Sequence, residues 1–382
     1  MNILCLAPVM GKTLCDDYFM YIRLQERGAN LAFISGRSSG ARANSMTLPP
    51  YENLDGVPIY RMYRNLEDMW VFPKRRLKDV LKIAKQLNPD IIHCHPAENM
   101  RLALLLREYF KIPIVMHTEI ASRIRSQELI GSWRMRAVRR LVGLPVKGPA
   151  FWSWLCEKAD ALITSHPPDQ QILNLLSENG KPVYYLTWPA DIPQGCELPR
   201  TRDRSRGVYA GLLIPFKNTQ EFEWVLPLIL QNTPTKEFVV IGAGVHSRII
   251  LRLKQQYGDA ITYIPRLKTR CEVMKVIAGS YYGFTPVKVR FMGGFMGDCW
   301  GTRTPLLTLH DVFVSKKLDL CVAKNGENLI RKINRLYEDP FFYRQLQNVG
   351  YEAYKTRTSN VVGDELYSIL QRTLKNARVL DD

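Results

Sequence analysis

Acidic side chains are the scarce class in this 382-residue chain: 36 Asp and Glu stand against 53 Lys and Arg, a formal charge of +17. The imbalance suits an anionic partner, whether nucleic acid, a phospholipid surface or a phosphorylated substrate, and charge alone does not choose among them. Long apolar runs are also missing. No stretch reaches the roughly 18 residues that span a bilayer. No basic-then-apolar leader precedes the first strand-like segment, so a cytosolic location is expected. The eight cysteines form no CxxC pair and no zinc-like Cys/His spacing, which points away from a disulfide framework and from a metal site. Cys5, Cys94, Cys156 and Cys321 fall in apolar elements, where reduced cysteine acts as a small hydrophobe. Repeats and low-complexity tracts are absent as well. The rest is ordinary for a globular chain: 46% hydrophobic and 23% charged, with a length that two domains fill better than one core.

Short apolar strands interleave with amphipathic helical spacing through the first half. "NILCLAPV", "ANLAFIS", "DIIHCH", "IPIVMHT" and "DALITS" read as strands; 16–27, "RRLKDVLKIAKQLNP" and "NMRLALLLREYF" read as helices. A second series begins after a Pro- and Arg-rich stretch. "VYAGLL", "EFVVIGAG", "AITYIP", "PLLTL" and "LDLCVA" read as strands among helices, and helical patterns at 325–338, 340–355 and 359–376 close the chain. The pattern predicts an α/β protein of two doubly wound, Rossmann-like domains facing one another. The expected divisions are 1–190, a linker at 191–206, a second domain at 207–355, and a final helix at 356–382 packing back on the first domain. In such sheets ligands bind beyond the carboxyl ends of the strands, so the post-strand loops are searched first.

"PVMGKT" at 8–13 fails as a P-loop, because the glycine required five residues before Gly11 is Leu6. A tight post-strand turn with Gly11 and Lys12 beside a ligand survives, against a plain strand-to-helix turn. His93 and His95 flank Cys94, read as lying on alternating faces and so not as a metal pair. His117, directly after a strand, is a catalytic candidate, with Glu119 and Glu98 as weaker acceptor-side bases. "SWRMRAVRRLV" gathers Trp133 and apolar residues on one arc and Arg136, Arg139 and Arg140 on the other, with Arg134 on the apolar side. That face suits an anionic membrane or a nucleic-acid backbone, or it is simply solvated. Lys217 in "VYAGLLIPFKN" follows a strand and could meet phosphate. Gly242 and Gly244 in "VVIGAG" leave room for a nucleotide base but lack the full GxGxxG pattern. "VRFMGGFMGDCWGTRTP", with paired Gly293 and Gly294, reads as a flexible loop approaching a ligand backbone to backbone.

In this order and spacing the segments resemble the retaining GT-B glycosyltransferases of the large family-4 type, over nearly the whole length. "NPDIIHCH", "IPIVMHT", "EKADALITSH" with "TWPADI", "VYAGLLIPFKN", "FVVIGAG", "ITYIPRL", "GTRTPLLTL" and the closing "NGENLIRKINRLYEDPFFYRQLQNVGYEAY" carry the likeness. The resemblance implies a UDP- or GDP-sugar donor held mainly by the second domain in an interdomain cleft, with no metal. It matches Lys217 to the donor-phosphate lysine, Gly11 to the diphosphate loop and His117 to the histidine near the transferred sugar. Two positions depart from the family. Leu212 stands where an arginine precedes the lysine, and Arg290 stands at the first of two glutamate positions, with Asp298 at the second. Asp298 would still grip a ribose hydroxyl, and Arg290 would replace the missing phosphate cation. Sugar transfer to a lipid-linked or cell-surface glycan at a membrane is the leading expectation; transfer to hydroxymethylated DNA bases and an inactive GT-B scaffold are the alternatives.

Overall fold

The computed structural model describes residues 1–7, 18–37, 48–64, 68–69, 72–95, 99–118, 154, 157–165, 178, 180–288, 293–313 and 315–381. They form two compact units, Met1–Thr187 with Ser359–Asp382, and Trp188–Thr358.

Among the described residues the first unit is built on eight strands: β1 (Asn2–Leu6), β2 (Asn30–Gly36), β3 (Tyr51–Leu54), β4 (Val57–Tyr63), β5 (Ile91–Cys94), β6 (Ile114–Thr118), β7 (Ala161–Thr164) and β8 (Val183–Tyr185). Their order is β3-β4-β2-β1-β5-β6-β7-β8. Every neighbouring pair is parallel except the β3–β4 hairpin. Helices cover both faces, which is why the central strands are apolar at consecutive positions. Leu4, Leu6, Ala32 and Ile34 pack with Val80 and Ala84 of α2 (Leu77–Leu87) and with Leu102, Ala103 and Leu106 of α3 (Met100–Phe110). Ile3, Cys5, Leu31 and Phe33 pack on the other side with Met20 and Leu24 of α1 (Tyr18–Glu26). The hairpin was not anticipated, although Asp55-Gly56 is its turn, with φ of 48° and 87°. An Asp-Gly pair between apolar runs is the ordinary signal for such a turn.

Among its described residues the second unit has five parallel strands, β9 (Asp203–Ala210), β10 (Glu237–Ile241), β11 (Ile261–Ile264), β12 (Ser280–Thr285) and β13 (Leu306–Thr308), ordered β11-β10-β9-β12-β13. Its helices are α4 (Phe222–Asn232), α5 (Ser247–Tyr257), α6 (Arg270–Gly279), α7 (Gly294–Gly301), α8 (Gly326–Glu338) and α9 (Pro340–Lys355). The chain steps outward from β9 to β10 to β11, then returns to place β12 on the other side of β9. The topological switch point therefore lies between β9 and β12, where an open α/β sheet leaves a crevice at its carboxyl edge.

Several expectations need correction here. Strand β9 starts at Asp203, inside the stretch expected as linker. Residues 280–285 form the buried strand β12, which the sequence pattern had not marked. "LDLCVA" is not a strand: Lys316–Cys321 is a short 3-10 helix, followed only by an isolated bridge between Thr308 and Val322. Cys196 and Cys271 form a disulfide across 75 residues, a pairing that no spacing rule could indicate. It ties the segment entering this unit to the first turn of α6.

The last helix, α10 (Ser359–Asp381), returns to the first unit and lies on α1. Val362, Leu366, Ile369 and Leu370 join the core beside Met20 and Leu24. Asp364 receives Arg23 Nε at 2.7 Å and Arg27 Nη2 at 2.6 Å, and these two guanidinium groups hold its carboxyl far below the usual carboxylate range.

Candidate functional site

At the carboxyl edge of β9 and β10 two loops are joined through their backbones. Gly211 N–H donates to Ile241 O at 2.9 Å, Leu213 N–H to Ala243 O at 3.1 Å, and His246 N–H to Leu213 O at 2.9 Å. This contact explains the glycines of "VVIGAG". A Cβ on Gly242 would lie 1.9 Å from Gly211 O, and one on Gly244 would lie 2.2 Å from Leu213 O. Both positions were expected to face a nucleotide; the structure places them against backbone of the same unit. Leu212, at the expected arginine position, is half exposed.

The β9 loop continues as a short 3-10 helix, Pro215–Lys217, closed by Asn218 at φ 55°. Lys217 Nζ lies 5.2 Å from the centre of the Phe216 ring. Asn218 is buried, and its amide Nδ2 donates to Pro286 O at 3.1 Å, just past the end of β12. A bond thus spans the switch point directly beside Lys217. His310, two residues past β13, stands behind it, with Nε2 3.3 Å from Asn218 Nδ2 and 3.2 and 3.3 Å from the Glu221 carboxylate oxygens.

The β12 side of the switch point leads to α7. Gly293, in extended conformation, precedes Gly294 at its start, and neither a side-chain cap nor an acidic residue occupies the first turn. Such a turn presents unsatisfied N–H groups and the positive end of the helix dipole, which favour an anion. The later glycines have another purpose. A Cβ on Gly297 would meet Ala190 at 2.4 Å, and one on Gly301 would meet the Tyr354 ring at 2.8 Å. From Gly294 onward the expected flexible loop is a packed helix. Asp298 sits within it, 7% exposed, receiving Arg270 Nη2 at 2.6 Å from the first residue of α6.

In the first unit His117 lies near the carboxyl end of β6 as the strand pattern indicated, 1% exposed, with Nε2 2.9 Å from Ser165 Oγ. His93 and His95 do not lie on alternating faces. Residues two apart on a strand share a face, and their rings lie 5.5 and 4.8 Å from that of His117. His93 Nδ1 lies 3.1 Å from Tyr21 OH. Burial pushes His93 down to about 3 and His95 down to about 4, and burial with the two neighbouring rings holds His117 well below 6.5. The cluster is neutral at pH 7, so His117 can exchange hydrogen bonds but supplies no cation. Among the described residues no group of three His, Cys, Asp or Glu is arranged to hold a metal, and no helix is long and apolar enough to cross a membrane.

Gly11, Lys12, Glu98, Glu119, Trp133, Arg134, Arg136, Arg139, Arg140 and Arg290 lie outside the described residues. Asn218, Glu221, Arg270 and His310 were missed. The rule that selected His117, a histidine directly after a buried strand, applies equally to "LLTLH" and would have found His310.

No protein-family pattern matches the chain, and no curated protein matches it in sequence. Solved structures do match along almost its entire length. The sucrose-phosphate synthase of Thermosynechococcus elongatus is similar at a TM-score of 0.73 and 14% identity, covering 98% of this chain and 100% of that one. The fold is GT-B. A UDP-forming α,α-trehalose-phosphate synthase from Burkholderia xenovorans shares the GT-B likeness at a TM-score of 0.68 and 15% identity, with 99% of each chain covered. Anabaena HepE, solved in complex with UDP, matches at 0.62 and 12%, over 97% of this chain and 100% of that one.

Proposed function

We propose that the protein is a glycosyltransferase that moves a sugar from a nucleotide-sugar donor, UDP-linked in the first instance, to a hydroxyl acceptor. The observation that carries this reading is the placement of Lys217 and the uncapped start of α7 on the two sides of the β9–β12 switch point in a GT-B fold. A cation and a helix start without a side-chain cap at that position suit a diphosphate, whose negative charge grows as the sugar leaves. The mechanism proposed is metal-independent and retaining. The bond from the anomeric carbon to the phosphate oxygen breaks, one forms to the acceptor oxygen on the same face, and the acceptor proton passes to the leaving phosphate. His117, neutral and held at Ser165, acts as a hydrogen-bonding group for the transferred sugar and not as its base. Asp298 reaches a ribose hydroxyl only by sharing its pairing with Arg270. The +17 charge and the Trp133–Arg140 segment support an anionic membrane with a lipid-linked acceptor as the acceptor side. Co-sedimentation with anionic vesicles, lost on R139E/R140E, is its measure.

UDP-glucose and related UDP-sugars raise the thermal midpoint of the wild type by mass action. Lys217→Ala weakens that binding by about 10- to 100-fold, the magnitude of one lost charge-assisted contact of roughly 1.5–3 kcal/mol. A midpoint indifferent to UDP-, GDP-, ADP- and CMP-sugars would sink the donor reading. Tight binding without transfer to any acceptor would favour an inactive scaffold, for which the arginine position occupied by Leu212 is the motivating observation.

A further inference from the structure

Lysine is long and flexible, so a phosphate-facing lysine is only as well placed as the turn that carries it. Here the turn depends on the residue after it. Asn218 adopts φ 55°, a left-handed conformation that asparagine tolerates better than most residues. It is 7% exposed, and each end of its amide is engaged: Nδ2 with Pro286 O at 3.1 Å, and Oδ1 accepting from Gln220 Nε2 at 2.5 Å. His310 Nε2 approaches the same Nδ2 at 3.3 Å while lying within 3.3 Å of both Glu221 oxygens. A single ring nitrogen cannot serve both neighbours at once. As an acceptor it takes a hydrogen bond from Asn218 Nδ2–H; in the other tautomer, carrying its own hydrogen, it donates to Glu221. Three strand ends, those of β9, β12 and β13, therefore meet on two side chains next to Lys217.

We infer that Asn218 and His310 are positioning residues that hold the Lys217 turn at the β9–β12 switch point, with Glu221 competing for His310. As a role in donor binding this rests on the glycosyltransferase reading; as a role in ordering the turn it does not, and the two are measured separately. Order is read by amide hydrogen exchange at Lys217 and Asn218, whose N–H groups donate to Ile214 O at 3.0 Å and Pro215 O at 2.7 Å. In His310→Ala and Asn218→Gly, exchange at these two amides quickens by about tenfold or more, while the β10 amides of Val239–Ile241 keep their protection. Asn218→Gly permits the left-handed backbone and removes only the amide, so its effect isolates the side chain. His310→Gln restores protection to within about threefold, because glutamine offers an acceptor to Asn218 and a donor to Glu221 on separate atoms.

Donor binding is read by titration with UDP and with uridine. His310→Ala weakens UDP by about tenfold and leaves uridine within about twofold, since only the phosphates meet the displaced lysine. Unchanged exchange at 217 and 218 in His310→Ala overturns the positioning role, and so does loss of protection throughout β10, which would make His310 a general core residue. Quickened exchange in a protein whose wild type binds neither UDP nor uridine leaves the positioning role standing and removes the donor reading instead. Equal loss of UDP and uridine removes the link to phosphate.

Discussion

Acidification from pH 7 to about pH 4.5 unfolds the first unit, and the buried histidine cluster is the main cause. His93, His95 and His117 are each at most 3% exposed, and burial lowers all three below the usual 6.5, His93 to about 3 and His95 to about 4. In the unfolded chain each regains a pKa near 6.5. Below that pH the unfolded state binds protons that the folded state refuses, so stability falls as pH falls, over the window from about 6.5 down to about 4. Each histidine contributes close to 1.4 kcal/mol per pH unit, so His93 and His95 alone approach 3 kcal/mol per unit and about 4 kcal/mol by pH 5, and His117 adds a loss of the same sign. A domain stable by about 5–15 kcal/mol has little left at that point. Asp364, whose carboxyl is held low by Arg27 and Arg23, adds a loss of the same sign at more acid pH. Urea unfolding followed by circular dichroism at pH 7, 6 and 5 measures the slope. His95→Phe lowers it by about one proton. A wild-type slope of less than one proton between pH 6 and 5 would show that the cluster is not the cause.

Gly242→Ala is expected to be the most damaging single methyl group in the second unit. Its φ is +134°, a region side chains avoid, and the new Cβ would stand 1.9 Å from the carbonyl oxygen of Gly211. Both partners are backbone, and Gly211 is itself tied by its N–H to Ile241 O in the two-loop ladder at the carboxyl edge, so neither side can swing away. Backbone strain of roughly 1–3 kcal/mol and overpacking of similar size together come to about 4 kcal/mol. Gly258→Ala is the matched control. It also has positive φ, 59°, but nothing lies within 4 Å of its added Cβ, so backbone strain of roughly 1–3 kcal/mol applies without the overpacking. The urea midpoints of the two variants without nucleotide decide the matter. Equal midpoints would return Gly242 to the role the sequence suggested, a ligand contact with no packing duty.

That contrast shows what was legible. Buried parallel strands announce themselves through consecutive apolar residues, so β1, β2, β5, β6, β7, β9 and β10 could be read from composition alone. "SYYGFT" could not, because Gly283 and two hydroxyl-bearing tyrosines break the apolar run. Yet Gly283 is there because Cys299 Sγ would lie 2.5 Å from any Cβ. The same misreading affected α7: glycine signals close approach, and sequence does not say whether the approaching group is a ligand or a neighbouring side chain. For Gly297 and Gly301 it is Ala190 and Tyr354. Lys217 was singled out because its position after a strand has a rule behind it. Asn218 and Glu221 were not, since their roles depend on a histidine some ninety residues away. The Arg270–Asp298 pair spans 28 residues and two helices, and no local pattern encodes it.

The return of α10 to the first unit has a consequence for synthesis. The second unit lies wholly between Trp188 and Thr358, so all of it is synthesised before the helix that completes the first. The two connecting segments are bonded to each other, Ala190 N–H donating to Arg357 O at 2.8 Å and Arg357 Nη2 to Trp188 O at 3.0 Å. The later-made domain therefore joins its own two ends without the final helix. The earlier-made one keeps the face of α1 open until the final helix emerges, and a chain stopped short of residue 359 has a finished second unit and an unfinished first.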